Sequence, residues 1–281
     1  MNIEQLLQKS VAKLSAVDFL AETAQLDSQI LLTHTLKVNT SYLYTWPEKE
    51  LSIETLNQFD ERLQQRLLGK PIAYILGFQA FWSFELDVAE STLIPRADTE
   101  VLVEIGLELI EKVSAPNILD LGTGTGAVAL ALASERKDAF VEAVDLIDDA
   151  VELAKRNNAK LGLQVQVKQS CWFENIQTTN FDLIVANPPY IDPDDQHLEQ
   201  GDLRFEPKSA LVAEQNGYAD IETIADKARQ HLKAGAWLAF EHGFQQGDTA
   251  RNILTNYGYN AIETRQDYGG NDRVTLGQYQ Q

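Results

Sequence analysis

The segment from Asp120 to Gly126, Asp-Leu-Gly-Thr-Gly-Thr-Gly, constrains this chain more than any other part of its sequence. Its first two residues end the apolar run 117–121, and an alanine-rich run from Ala127 to Ala133 follows it, which predicts a strand, a tight glycine turn and a helix. Such a turn brings the backbone close to a ligand at the helix N-terminus. By its letters alone the loop fits NAD as well as S-adenosylmethionine, so it predicts a cofactor site without selecting the cofactor.

Strand-like and helical runs alternate through the second part of the chain. The predicted strands are 117–121, 140–144, 181–185 and 236–240, and helical patterns cover 127–133 and 149–161. This alternation predicts an α/β fold with a mostly parallel, doubly wound, Rossmann-like sheet and helices on both faces. Ligands bind such sheets beyond the carboxyl ends of the strands. Gly122, Asp145 and Asn187 are all expected at that edge.

The N-terminal part of the chain predicts a small all-α domain. Apolar residues recur there at intervals of three and four, and the last such run stops at Gly69 and Pro71, which end helices. We therefore divide the chain into a helical domain (1–71), a structured linker that we expect to contain a β-hairpin (72–97) and a catalytic domain (98–281). Asp98 or Thr99 is expected to cap the first helix of the last domain.

Charge and composition narrow the classes of partner. The formal net charge of -19, from 42 acidic and 23 basic residues, repels phosphate backbones, so we expect no direct nucleic acid binding. The single cysteine, Cys171, excludes an intrachain disulfide, and no cysteine cluster suggests a metal site. There is no signal-peptide pattern and no apolar stretch of ~18 residues, which predicts a cytoplasmic protein that does not enter membranes.

Asp145 stands at the end of the second predicted strand of the sheet. A carboxylate there can accept hydrogen bonds from both ribose hydroxyls of an adenosine-containing cofactor. The alternative is an aspartate that caps the helix after it. Because Asp145 shares one strand-helix-strand unit with the glycine loop, we predict a cofactor site formed by Gly122, Thr123, Gly124, Thr125, Gly126 and Asp145.

The loop Asn187-Pro188-Pro189-Tyr190 follows a third predicted strand, and its two prolines make it stiff. The Asn187 side-chain oxygen and the Pro188 carbonyl can each accept one hydrogen of a planar NH2 group, which raises electron density on a nitrogen whose lone pair is delocalised. The Tyr190 ring can stack on the flat group. The loop predicts methyl transfer to such a nitrogen without a required general base. Adenine and an amide both fit this chemistry.

Together with further segments, these loops identify a resemblance over nearly the whole chain. The segments are Pro71–Gly77, Leu93–Arg96 with Asp98–Glu100, Arg204–Pro207 and Glu241–Gly243. The chain resembles the PrmC (HemK) protein glutamine methyltransferases, which use S-adenosylmethionine to methylate the glutamine of the Gly-Gly-Gln motif in peptide chain release factors.

The resemblance implies a class I methyltransferase fold with roles for particular residues. It implies that Gly122–Gly126, Asp145 and Trp172 line the cofactor site, with Asn187 contacting the cofactor side as well. Glutamine is then held by Asn187, Pro188, Pro189 and Tyr190, with Asn187, Pro188 and Tyr190 as the catalytic groups. The helical domain is expected to help grip the release factor.

Two positions depart from the family pattern, and other functions compete. Cys171 and Ala97 stand where relatives commonly have aspartate and proline, and the loss of the carboxylate at 171 puts a polar contact to the adenine in doubt. The rivals are an adenine-N6 nucleic acid methyltransferase, a glutamine methyltransferase of a ribosomal protein, and a non-catalytic nucleotide-binding interaction module.

Overall fold

A computed structural model describes residues 1–199 and 201–280, apart from the His197 side chain. The chain forms two compact units. One contains Met1–Phe78 and Gln196–Phe205, and the other contains Gln79–Asp195 and Glu206–Gln281.

The first unit is built from short amphipathic helices around their own apolar core. Its α-helices are α1 (Ile3–Ser15), α2 (Ala24–Leu36), α3 (Thr40–Thr45), α4 (Ile53–Leu67) and α5 (Ile72–Leu76). Asn2 and Gln5 form a reciprocal capping box at the start of α1. The core contains Ile3, Leu31 and Phe59, each 0% exposed. Each such side chain stabilises the fold by roughly 1.5–3 kcal/mol relative to an exposed one.

A buried ion pair joins two helices of this unit. Arg66 Nε donates to Asp27 Oδ2 at 2.7 Å, and both side chains are 7% exposed. The same guanidinium donates to the Lys70 carbonyl at 3.1 Å and to Asp202 Oδ1 at 3.2 Å. Because a buried charge is costly without partners, these bonds fix the end of α4 against α2.

The second unit contains a seven-stranded sheet, and a two-stranded sheet precedes it in the chain. The small sheet consists of β1 (Phe78–Phe81) and β2 (Phe84–Asp87). The large sheet consists of β3 (Asn117–Leu121), β4 (Phe140–Asp145), β5 (Val165–Gln169), β6 (Phe181–Ala186), β7 (Leu232–Glu241), β8 (Tyr259–Gln266) and β9 (Asp272–Tyr279). Its helices are α6 (Glu100–Leu109), α7 (Ala127–Glu135), α8 (Asp148–Leu161), α9 (Glu214–Gly217), α10 (Ala219–Ala228) and α11 (Gly247–Asn256).

The strand order of the large sheet is β5-β4-β3-β6-β7-β9-β8. Strands β3 to β7 run parallel to one another, whereas β9 runs antiparallel to both β7 and β8. The order reverses between β3 and β6, where Leu121 of β3 pairs with Ala186 of β6. The loops that follow these two strands therefore meet at the switch point of the sheet, where doubly wound folds bind ligands.

Alternating side chains of the central strands bury both faces of the sheet. Ile118 packs with α6 and α7 on one face, and Leu119 packs with α10 and α11 on the other, as expected for successive strand residues. Both are 0% exposed. This double coverage explains why the strands are continuous apolar runs.

The predicted N-cap position of α6 is confirmed at Thr99, but the side-chain hydrogen bond of a cap does not form. Thr99 occupies the N-cap position of α6, but its side chain makes no capping hydrogen bond. Its hydroxyl instead accepts a hydrogen bond from Asn187 Nδ2 at 3.2 Å.

In the part of the chain that the structure describes, no helix combines the length and the apolar character needed to cross a membrane.

Candidate active site

A cavity of about 210 Å³ lies at the carboxyl ends of the central strands, within the second unit. It is lined by the glycine loop after β3, by the end of β4, by the loop after β6 and by the segment before α6. The residues of the glycine loop in its wall are Gly122, Thr123, Gly124 and Thr125. Asp145, Trp172, Asn187 and Pro189 complete the part of the wall that the sequence predicted as a site.

The glycine loop depends on backbone angles that side chains rarely adopt. Gly122 has φ of +70°, and a Cβ there would lie 3.5 Å from Cζ3 of Trp172. Gly126 has φ of +88°, precedes α7 as its N-cap, and leaves only 2.9 Å between an added Cβ and Cδ1 of Leu130. Glycine at both positions lets the chain turn sharply from strand to helix without strain.

Asp120 stabilises the glycine loop through hydrogen bonds to its carboxylate. Its Oδ2 accepts hydrogen bonds from Thr123 Oγ1 at 2.6 Å and from the Ala129 amide at 3.2 Å. The residue is 2% exposed. Burial, with a smaller contribution from nearby Asp145, raises its pKa to about 6, although both hydrogen bonds act in the opposite direction.

Asp145 connects the second strand to the glycine loop. Its Oδ2 accepts from the Gly124 amide at 2.8 Å, and its Oδ1 accepts from the Ile147 amide at 2.9 Å. Burial raises the pKa of this carboxyl, against the effect of these backbone bonds. A carboxylate offers about four acceptor positions, so it retains capacity for further donors in the cavity. The residue therefore bonds the chain ahead of α8 and also faces the cavity.

Trp172 lies in the wall next to Gly122 of the glycine loop, whose added Cβ would be 3.5 Å from its ring. Its backbone has φ of +47°, an uncommon value for a residue with a side chain. The Ser170 hydroxyl donates to its carbonyl at 2.9 Å. Burial raises the pKa of Asp220, which also lies in the wall, and the neighbouring Trp172 side chain acts in the opposite direction. Neighbouring Cys171 is half-buried and lines the same cavity.

Only two of the four residues of the Asn187–Tyr190 loop line the cavity. Asn187 and Pro189 line the cavity, whereas Pro188 is buried behind the wall and Tyr190 is half-buried beside it. The Tyr190 hydroxyl donates to Glu241 Oε1 at 3.1 Å. Burial and the neighbouring Glu241 raise the pKa of Tyr190, so its hydroxyl keeps its proton at neutral pH.

The far end of this loop is supported by a glutamine and a strained turn. Gln246 Nε2 donates to the Tyr190 carbonyl at 3.0 Å, and its Oε1 accepts from the Gly243 amide at 2.8 Å. Gln215, Asn216 and Gly217 have φ of 55°, 57° and 85°. An added Cβ at Gly217 would overlap the Tyr190 carbonyl oxygen. The backbone of the loop is thus packed from several sides.

The rim of the cavity joins two segments that are far apart in sequence. Arg96 Nη2 bonds both carboxylate oxygens of Glu206, at 2.8 and 2.7 Å, and the Glu206 side chain is 0% exposed. Glu206 Oε1 also accepts from the Ile94 amide at 3.3 Å. This pairing brings the Leu93 and Pro95 wall next to Ser209 and Ala210. The structure therefore brings together two of the motifs on which the family resemblance rests.

The predicted site residues divide into two groups. The cavity wall contains Gly122, Thr123, Gly124, Thr125, Asp145, Trp172, Asn187 and Pro189, and it does not include Gly126, Pro188 or Tyr190. The sequence interpretation missed Asp120, Asp220 and Thr99, which also lie in the wall, and Glu241, which contacts Tyr190. Asp120 and Glu241 had a usable signal, since each is a charged residue inside or at the end of an apolar strand. Asp220 had none.

Across residues 1–199 and 201–280, no three His, Cys, Asp or Glu side chains are grouped so that they could hold a metal ion. The polar groups in the wall are instead amides, hydroxyls and carboxylates. These are partners for a nucleoside and an amide rather than a transition-metal set.

Comparisons with known proteins decide the family. Residues 5–77 match the family described as the PrmC N-terminal domain, and residues 98–217 match the methyltransferase small domain. The release factor glutamine methyltransferase of Aliivibrio fischeri is 51% identical over 282 residues, covering 99% of this chain and 98% of that protein. The chain belongs to the release factor glutamine methyltransferase family.

Two further proteins place this family member in sequence and in fold. The release factor glutamine methyltransferase of Escherichia coli is 45% identical, and the match covers 100% of both chains. The crystal structure of a methyltransferase from Pyrococcus furiosus superposes with a TM-score of 0.55 at 17% identity, covering 79% of this chain and all of that one (100%). At that identity the likeness shows the fold alone. The expected class I methyltransferase fold and the family resemblance are both confirmed.

Proposed function

We propose that this enzyme transfers a methyl group from S-adenosylmethionine to the side-chain amide nitrogen of the glutamine in the Gly-Gly-Gln motif of peptide chain release factors. One observation carries the proposal: a single cavity joins the glycine loop and Asp145 to Asn187 and Pro189. A methyl donor and an NH2 acceptor can therefore meet inside one wall. Full-length identity of 45–51% to release factor glutamine methyltransferases supports the choice of substrate.

The wall fits S-adenosylmethionine on its cofactor side. A Cβ at Gly124 would enter the cavity with no atom nearer than Thr92 Cβ at 3.9 Å, so glycine leaves room for a ligand against the backbone. We assign the ribose hydroxyls to Asp145 and the adenine to Trp172, and the backbone of Gly122–Gly126 encloses the remainder. The cofactor supplies an electrophilic methyl group on a sulfonium.

On the substrate side, Asn187 and Pro188 act on the glutamine amide. The Asn187 Oδ1 and the Pro188 carbonyl each accept one N–H, which orients the nitrogen and increases its electron density. A positioned hydrogen-bonding group of this kind contributes about 10²–10³ in rate. Pro189 and Tyr190 hold the flat amide in place. Orientation of two reactants supplies roughly 7–11 kcal/mol of the barrier reduction in favourable cases.

The same contacts select glutamine over glutamate. A glutamate carboxylate presents no hydrogens to the Asn187 and Pro188 oxygens, so acceptors would face acceptors in the site. Mismatched polar groups of this kind lower kcat/KM for the wrong substrate by a factor of ~10⁴–10⁵.

The helical unit contributes to recognition of the release factor in this proposal. It exposes apolar side chains that are available for contact with a partner, among them Phe19 at 50% and Leu68 at 77% exposure. The net charge of -19 disfavours bare nucleic acid as the substrate. Because release factors act on ribosomes, we assign the activity to the cytoplasm.

The proposal is tested by offering tritiated S-adenosylmethionine with each rival acceptor separately. The acceptors are a purified release factor, deproteinised ribosomal RNA, DNA and ribosomal proteins. We expect label on the release factor alone. Label on adenine in RNA or DNA would support the adenine-N6 alternative, and label on a ribosomal protein alone would identify another glutamine substrate. No transfer to any acceptor would favour a binding module.

A further inference from the structure

Asn157 lies in α8, and its side chain is completely enclosed by the protein. The residue is 0% exposed, although asparagine is mostly a surface residue. A buried amide is stable only where its polar atoms have hydrogen-bond partners. The partners of Asn157 therefore identify the segments that this side chain holds together.

The hydrogen bonds of the Asn157 side chain all run to backbone groups. Its Oδ1 accepts from the Asp87 amide at 2.8 Å, and its Nδ2 donates to the Asp87 carbonyl at 3.0 Å and to the Thr125 carbonyl at 2.9 Å. A backbone N–H only donates and a backbone carbonyl only accepts. These bonds therefore fix the orientation of the Asn157 amide.

The bond to Thr125 reaches the glycine loop itself. Thr125 lines the cavity and directly precedes Gly126, the N-cap of α7. The Ala129 amide stands four residues after Thr125, at the helical spacing, but it bonds to Asp120 Oδ2 at 3.2 Å. The Asn157 side chain supplies a donor to the Thr125 carbonyl in its place.

The two bonds to Asp87 position a second segment of the cavity wall. Asp87 ends β2, and the chain then reaches the cavity, where its lining residues are Ser91, Thr92, Leu93 and Pro95. The Thr92 amide and hydroxyl both donate to the Ala89 carbonyl, at 3.1 and 3.3 Å, which forms a tight turn two residues after Asp87. The location of the segment 91–95 therefore follows from the location of Asp87.

The glycine loop and the segment 91–95 approach each other closely. A Cβ added to Gly124 would lie 3.9 Å from Thr92 Cβ, and Thr92 is 2% exposed. Asn157 is bonded to the backbone of the loop and to the backbone that leads into the segment, but it does not line the cavity. One buried side chain thus sets the spacing between two parts of the cavity wall.

A surface contact attaches β2 to the same helix without reaching the glycine loop. Lys160 of α8 pairs with Asp87 Oδ1, and both side chains are 43% exposed. Exposed ion pairs of this kind contribute little to stability. The connection to the cavity therefore depends on Asn157.

We propose that Asn157 is a positioning residue of the cofactor site, which holds the segment 91–95 at the correct distance from the glycine loop to enclose S-adenosylmethionine. The inference rests on the cofactor placement of the proposed function. It assigns a role in methyl-donor affinity to a residue outside both the glycine loop and the cavity wall.

The test begins with Asn157→Asp, which keeps the shape of the side chain but removes the NH2 donor to both carbonyls. The matched control is Asn158→Asp, in the next residue of α8. Asn158 makes the same kind of bridge, from Nδ2 to the Val165 carbonyl at 3.0 Å and from the Val165 amide to Oδ1 at 3.2 Å, but Val165 does not line the cavity. Lys160→Gln is a second control, since it removes only the surface contact to Asp87.

Three quantities are measured on the full-length protein. They are the affinity for S-adenosylmethionine by calorimetry, KM for S-adenosylmethionine with kcat on the release factor, and the free energy of unfolding in urea. We expect Asn157→Asp to weaken the affinity and to raise KM about 10- to 100-fold, because two buried carbonyls lose their donor. The value of kcat at saturating S-adenosylmethionine should change less than about threefold, since the acceptor side of the site is untouched.

The controls separate positioning from a general loss of stability. Asn158→Asp should also reduce the free energy of unfolding, but it should leave the affinity of the folded protein within about twofold of the wild type, as should Lys160→Gln. Unchanged affinity in Asn157→Asp, or an equal loss in Asn158→Asp, overturns the positioning role. If Asn157→Asp is unfolded in the urea series without denaturant, Asn157→Ser decides by the same affinity, since it shortens the side chain and leaves a polar space for water.

Failure of the inference and failure of the proposed function give different results. A wild type that binds S-adenosylmethionine without methylating the release factor contradicts the proposed function, while the affinities still decide the role of Asn157. A wild type that methylates the release factor, together with an Asn157→Asp variant of unchanged affinity, contradicts the inference alone.

Discussion

The Gly124 amide donates a 2.8 Å hydrogen bond to Oδ2 of Asp145, so the glycine loop and the neighbouring strand end form one structural unit. The other oxygen of Asp145 accepts the Ile147 amide at 2.9 Å. A single carboxylate therefore organises the backbone around the cofactor side of the cavity and also faces into it. Its removal should affect binding twice, through loop order and through the ribose contact.

We expect Asp145→Ala to weaken S-adenosylmethionine binding roughly 10- to 100-fold, since hydrogen bonds to a charged group contribute about 1.5–3 kcal/mol. Asp145→Asn should weaken it less, because the amide oxygen can still accept one bond. Asp149→Asn, an exposed acid in the first turn of α8, is the control. Isothermal titration calorimetry measures the three affinities, and unchanged affinity in Asp145→Ala would refute the assignment.

Gly217→Ala is expected to reduce kcat by displacing the Tyr190 backbone. A Cβ there would overlap the Tyr190 carbonyl oxygen, and φ is +85°. Gly258→Ala is the control, because φ is +80° but an added Cβ meets nothing within 4 Å. Backbone strain should destabilise both variants by roughly 1–2 kcal/mol. A kcat loss confined to Gly217→Ala supports the packing role, whereas equal kcat values would contradict it.

The exposed apolar side chains of the helical unit should matter only for a folded substrate. Phe19 lies close to Gly69, the residue after Leu68, since a Cβ added to Gly69 would be 3.2 Å from Phe19 Cε2. The Arg204 guanidinium lies 4.7 Å from the Phe19 ring centre. We expect Leu68→Ala to raise KM several-fold for the intact release factor, but not for a short Gly-Gly-Gln peptide. The control is Ile53→Ala, at 78% exposure at the start of α4, the helix that Leu68 caps at its C-terminus. Equal KM changes on both substrates would argue against docking.

The raised pKa of Asp120 predicts a pH-dependent stability. Its folded-state pKa of about 6 lies above the ordinary 3.8, so the folded protein binds the proton more tightly, and stability falls as pH rises from 3.8 to about 6. Asp120→Asn removes this dependence. Between pH 5 and 8, the unfolding free energy of the wild type relative to the variant should fall by about 1.4 kcal/mol, which urea titrations can measure. A difference that is independent of pH would contradict the burial effect.

The sequence predicts those parts of the fold that local patterns determine. The run that became β3, the glycine turn and α7 were recognisable because strand, turn and helix each have their own signal within a few residues. Strands β8 and β9 could not be recognised in the sequence. Only one residue of β8 is fully buried, and its mixture of apolar and polar residues is typical of neither a strand nor a helix. Their antiparallel pairing depends on contacts with β7 that are distant in sequence.

The site shows the same division between local and distant contacts. Asp145 and Asn187 could be predicted because each follows an apolar strand in a parallel sheet. The bond from Tyr190 to Glu241 joins residues on separate elements, and no spacing in the sequence predicts it. Thr99 does occupy the predicted N-cap position, but its hydroxyl accepts a hydrogen bond from a tertiary partner, Asn187, instead of bonding to the helix.

Tandem mass spectrometry of the methylated release factor tests the central claim most directly. The wild-type enzyme and Asn187→Ala are each incubated with S-adenosylmethionine and release factor, and the peptide that contains Gly-Gly-Gln is fragmented. We predict one added methyl group on the glutamine side-chain nitrogen with the wild type, and a loss of at least about 100-fold with Asn187→Ala. A methyl group at any other residue, or undiminished transfer by Asn187→Ala, would contradict the account.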